Sequence, residues 1–182
     1  MRIDTPLFKG THESVNKNLL VSYIYMFEPT GQYQTVKERS NGNITINPSF
    51  GISISEGYDK PYIFIPASKY YSFITLLDKT ITIISENLYE IFPNINKIEF
   101  EIDSRVLERF QTEKAMTTAG MTAIPAVWID ETNSCYPGIR INTMNGSVVI
   151  PFEDAIPINE MFKHFDPMLY SINMLRFFGK IE

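Results

Sequence analysis

The residue types best suited to chemistry in this chain are aromatics interleaved with cations on extended segments. Tyr23, Tyr25 and Phe27 recur at every second position from Leu19 to Phe27, which places them on one face of a strand. Tyr33, Lys37 and Arg39 follow on the adjoining stretch, Lys60 and Tyr62 border the next hairpin, and Trp128 and Arg140 sit on later strand-like runs. Aromatic rings stack on nucleobases of any sequence, at about 1–3 kcal/mol per base, and neighbouring cations hold the phosphates. Tyr23, Tyr25, Tyr33, Lys37, Arg39, Lys60, Tyr62, Trp128 and Arg140 are therefore the candidate nucleic-acid-binding set. Each also has a plain reading as core filler or solvated charge, the commoner fate of such residues.

Other chemistries find little support. The two histidines, His12 and His164, have no partner at metal-ligand spacing. Cys135 follows Asn133-Ser134 in an expected turn with no feature that would activate a thiol, and the glycines form no phosphate-cradling pattern. Glu99, Glu101 and Asp103 share one strand face, which reads more simply as a solvated sheet face than as a cation site, and which would repel phosphate. No catalytic residue, metal or cofactor is expected.

The elements that must position these residues follow from periodicity. Residues 1–17 read as a flexible N-terminal arm. Leu19–Phe27 reads as a strand closed by the turn signature Glu28-Pro29-Thr30-Gly31, with 32–39 pairing back. Asn41-Gly42 is a turn, Ile44 and Ile46 begin another extended run, and Gly51–Ser55 and Tyr62–Ile65 are further strands. After Pro66 the period changes: Tyr70, Ile74, Leu77, Ile81, Ile84, Leu88 and Ile91 form one helical stripe, which Pro93 stops. That phase outweighs the strand propensity of the β-branched run Thr80–Ile84.

A second series begins with strict alternation from Lys97 to Asp103, continuing or turning through Arg109. Ala115–Gly120 reads as a mobile loop, followed by strands at Ala123–Asp130, Gly138–Thr143 and Ser147–Ile150, the last two joined by Asn145-Gly146. Phe152–Phe165 reads as a helix, and Asp166-Pro167 as the cap and first turn of a final one. Gly51-Ile52-Ser53-Ile54 is echoed by Gly138-Ile139-Arg140-Ile141, and Ile63-Phe64-Ile65-Pro66 by Val148-Val149-Ile150-Pro151, each proline preceding a helix. The expected fold is α+β: two tandem four-strand-plus-helix units, 18–95 and 96–182, forming an intramolecular pseudo-dimer of antiparallel sheets backed by helices.

This order of elements resembles the Whirly family and the related single-stranded-DNA-binding transcriptional coactivators, which form the same arrangement by dimerising; small phage proteins with that fold are similar too. The resemblance spans about Leu19 to Phe178 and lies in element order. The lysine-glycine-lysine-alanine signature of plant Whirly proteins is absent, so no binding position is transferred. It implies single-stranded DNA or RNA as partner, in phage or mobile-element DNA metabolism or transcription.

Bulk properties frame these readings. The 182 residues suffice for a substantial core, and 44% hydrophobic with 20% charged residues describe a globular chain. No apolar stretch approaches a membrane span, the N-terminus lacks a signal-peptide core, and a lone cysteine fits a reducing, cytoplasmic compartment, that of the host if the chain is phage-encoded. A net charge of −5 weighs against coating duplex DNA by charge alone. Together with abundant Tyr and Phe it supports the alternative of a protein-binding module, a regulator or adaptor of a host or phage protein. A protein partner and homo-oligomerisation stay open.

Overall fold

Strands and helices alternate where the apolar period switches between two and about 3.6 residues. The computed structural model describes residues 2–26, 49–95, 102–111, 117–118 and 120–166, with Leu169, Tyr170, Asn173 and Arg176 beyond. Strands β1 (Arg2–Lys9), β2 (Leu20–Met26), β3 (Ser49–Ser55) and β4 (Tyr62–Pro66) form one antiparallel sheet in that order. After a 3₁₀ turn come α1 (Tyr70–Glu86), α2 (Leu88–Ile91) and α3 (Ser104–Gln111). A second antiparallel sheet runs β5 (Thr117–Thr118), β6 (Met121–Ile129), β7 (Cys135–Thr143) and β8 (Gly146–Pro151), followed directly by α4 (Phe152–His164). The fold is thus α+β with two antiparallel sheets.

The echoed segments occupy equivalent ladder positions. Gly51 pairs with Pro66, Ile52 with Ile65 and Ile54 with Ile63; correspondingly Gly138 pairs with Pro151, Ile139 with Ile150 and Ile141 with Val148. In both hairpins the isoleucines and valines of this register face inward and are fully or almost fully buried. Gly51 has a steric reason: a Cβ there would run into the Ile65 carbonyl and the Phe64 ring.

One hydrophobic core draws on both sheets and on α1 and α4. The α1 stripe is slightly rotated from the expected one. Phe73, Leu76 and Thr80 are buried with Tyr70, Leu77 and Ile84, whereas Ile74 and Ile81 are only half-buried. The shift follows from two neighbours, α4 on one side and β6 on the other. Thr80 tolerates burial because its hydroxyl donates to the Leu76 carbonyl at 2.8 Å, with the Ala123 carbonyl of β6 at 3.5 Å. The Tyr70 hydroxyl donates to the Phe162 carbonyl of α4 at 2.9 Å, and Lys163 of α4 pairs with Asp78 of α1 at 2.7 Å.

Three expectations need correction. The flexible arm at 1–17 is instead β1 for Arg2–Lys9, zipped onto β2 with a register shift between Pro6 and Phe8 that accommodates the proline. The strand expected to run to Asp103 does not include Ile102 and Asp103. Asp103 caps α3, its Oδ1 accepting the Arg105 amide at 2.8 Å, so the stretch through Arg109 is helix. The loop expected at Ala115–Gly120 contributes β5, whose Thr117 and Thr118 pair with Thr122 and Met121. Lys97–Glu101, 32–39, Asn41-Gly42 and Ile44–Ile46 lie outside the described residues. Asp166 does cap as expected, its Oδ1 accepting the Leu169 amide at 3.0 Å.

Candidate nucleic-acid interface

Strand alternation gives the first sheet two faces of opposite character. Toward the core lie the cross-strand rows Phe8–Val21–Ile54–Ile63 and Thr5–Tyr23–Ile52–Ile65. The other face carries Lys9–Leu20–Ser55–Tyr62, Pro6–Ser22–Ser53–Phe64 and Asp4–Ile24–Gly51–Pro66. This outer face holds a concavity of about 840 Å³ rimmed by the β1–β2 and β3–β4 loops, with Ser22 and Ile24 buried on its lining. Lys9, Lys17 and Lys60 line it together with Tyr58, Tyr62, Ser22, Ser53 and Ser55. Tyr58 is 94% exposed and Tyr62 62%. Asp4 and Asp59 are the carboxylates on the lining. No ion pair among the described residues involves Lys9, Lys17 or Lys60.

Both rim loops are fixed by specific bonds. In the β1–β2 loop the Gly10 amide donates to the Leu19 carbonyl at 2.8 Å, and a Cβ at Gly10 would collide with the Asn16 carbonyl. The Val15 and Asn16 amides donate to the two carboxylate oxygens of Asp154, a buried residue in the first turn of α4, at 3.0 and 2.8 Å. Burial pushes the Asp154 carboxyl above its ordinary value, and the two amides pull it part of the way back. Asn16 then reaches across with its side-chain amide to the Glu56 carbonyl at 3.0 Å, tying the loop that bears Lys17 to the loop that bears Lys60. In the β3–β4 loop the Ser55 hydroxyl donates to the Gly57 carbonyl at 2.7 Å, and Asp59 turns through φ 56°. This tight turn holds Tyr58 out into solvent. The Glu56 carboxylate accepts the Val149 amide on the edge of β8, joining the two sheets at this end.

A second, smaller cavity of about 290 Å³ adjoins the first and shares Lys17, Asn18 and Lys60 with it. Trp128 of β6 forms part of its wall, with Asp130, Glu131 and Thr132 from the β6–β7 turn. Trp128 pairs across the ladder with Tyr136, ring centroids 5.7 Å apart.

The expected site residues do not all come together. Lys60 and Tyr62 meet in the larger cavity, and Trp128 lies in the adjoining one. Arg140 is exposed on β7, between Ile124 and Val149, and lines neither cavity. Tyr23 is a correction: its ring is completely buried, packed edge-on against Phe165 at 5.8 Å and Tyr170 at 4.6 Å, and so serves the core. Tyr25 pairs with Phe50 in the β2–β3 ladder, while Tyr33, Lys37 and Arg39 lie outside the described residues. Lys9, Lys17 and Tyr58 were not singled out by sequence. A strand at the N-terminus would have flagged Lys9, but Lys17 comes into place only through its loop's long-range bonds.

Among the described residues no three His, Cys, Asp or Glu side chains gather as a metal-holding group, and no helix is long and apolar enough to cross a membrane. Comparison with known protein families, curated proteins and solved structures finds no match to this chain.

Proposed function

We propose that the chain is a non-enzymatic single-stranded nucleic-acid-binding protein that lays the strand across the outer face of its first sheet. The observation that carries this reading is the gathering of Lys9, Lys17 and Lys60, none of them ion-paired among the described residues, around exposed Tyr58 and Tyr62 in one open concavity. Cations beside projecting rings suit a flexible strand, whose phosphates and unstacked bases are reached together. Local charge, not the net −5, governs such contact. The matching registers of the two hairpins support the further reading of the halves as tandem units in a Whirly-like pseudo-dimer. On this reading the protein serves phage or mobile-element DNA metabolism or transcription.

The test is fluorescence anisotropy of labelled oligothymidylate and oligouridylate titrated with the full chain at low salt. Saturable binding is expected, weakened in Tyr62→Ala by about 5- to 150-fold, the equivalent of one lost stacking contact. Absence of binding by a folded protein defeats the reading.

The rival, a protein-binding module, draws on the acidic balance and on exposed Tyr71, Tyr89 and Met144, which lie away from the cavity. A protein partner whose binding is blocked by Tyr89→Ala and indifferent to Tyr62→Ala would favour it.

A further inference from the structure

We propose that the smaller cavity beside the sheet is a base-selective subsite that prefers guanine. The inference rests on the single-strand reading above and extends it to sequence preference.

The cavity is walled by half-buried Trp128, a surface for one stacked base. Because Lys17 and Lys60 line both cavities, a strand crossing the sheet can send one base into the smaller one while its phosphates stay on those lysines. The polar groups there are mostly engaged. Asp130 Oδ1 accepts the Thr132 amide and hydroxyl and the Ser134 amide at 2.7–2.8 Å. Glu56 is held by the Val149 amide. Glu131 stands apart: it is exposed, and its only hydrogen bond among the described residues is a long one, 3.5 Å from the Asn18 side-chain amide to Oε1. A carboxylate with Oε2 open and Oε1 held by that long bond alone among the described residues matches two adjacent donors. Among the common bases only guanine presents such a pair on its Watson–Crick edge, the ring N1–H and the exocyclic amino group. Adenine, cytosine and thymine each offer a single donor flanked by an acceptor, which a carboxylate repels. Trp128 supplies affinity and Glu131 supplies choice.

The chain contains a single tryptophan, so its emission reports on this cavity alone. The experiment titrates the full chain with labelled oligothymidylate carrying one central dG, dA or dC, following anisotropy and Trp128 emission together. A bidentate contact predicts tighter binding of the dG oligonucleotide by at least about 5-fold, with Trp128 emission quenched. Glu131→Gln is expected to bring the dG oligonucleotide to the same affinity as the other three. Equal affinity for all four oligonucleotides, or a dG preference unchanged in Glu131→Gln, overturns the subsite while leaving the sheet platform standing. If no oligonucleotide binds, both readings fall.

Discussion

Replacing Lys60 with glutamine removes one positive charge from the point where the two cavities meet, and its effect can be worked out before it is measured. Three lysines line the larger cavity, so a strand lying there neutralises up to three phosphates through them. Single-stranded binding loses counterions at about 0.7 per phosphate contact, so the slope of log K against log salt should be about −2.1 for the native chain and about −1.4 for Lys60→Gln. Between 50 and 200 mM salt the native affinity should therefore fall about 18-fold and the variant's about 7-fold, so the two converge as salt rises. The assay is the anisotropy titration repeated at four or five salt concentrations. Lys60 is exposed in a loop, so the substitution leaves the core untouched. A Lys60→Gln chain that binds with native affinity and native slope would refute the placement of the strand. A flat native salt dependence would refute phosphate contact altogether.

Further outcomes concern the scaffold. Asp154→Asn turns an acceptor pair into one acceptor and one donor facing the Val15 and Asn16 amides, and should cost about 1–3 kcal/mol in urea unfolding. Because burial raises the Asp154 carboxyl in the folded chain, its contribution favours folding below the unfolded carboxyl value. That contribution is lost as pH rises through the interval up to the folded one; Asp154→Asn should abolish this part of the stability–pH slope. Tyr70→Phe removes the buried hydroxyl bonded to the Phe162 carbonyl and should cost about 1 kcal/mol, read as a shift in the unfolding midpoint without a change in its steepness.

Sequence reasoning reached those parts of the fold whose signals are local. The α1 phase survived a β-branched run because packing against β6 and α4 rewards the apolar stripe, and Asn145-Gly146 marked the β7–β8 hairpin through its turn chemistry. It missed β1, whose alternation is interrupted at the register shift after Pro6. It missed β5 because two threonines carry no period. Asp103-Ser104 before Val106 was readable as a helix start, but the alternation upstream favoured strand. At the site, Lys60 and Tyr62 were legible as a cation–aromatic pair on a hairpin, whereas Tyr23 shows the limit of alternation: it tells which residues share a face, not which face meets solvent. Lys17 is placed by Asp154 and Glu56, which lie 137 and 39 positions away in the chain, and no short-range pattern encodes that.

The Asp154 anchor makes the halves unequal partners. The first contributes the sheet face that would meet the strand, while the loop crowning that face is held by a carboxylate belonging to the second. Severed after residue 95, the N-terminal piece would lose the clasp that sets Lys17. Whatever kinship the two segments share, neither is a spare copy of the other.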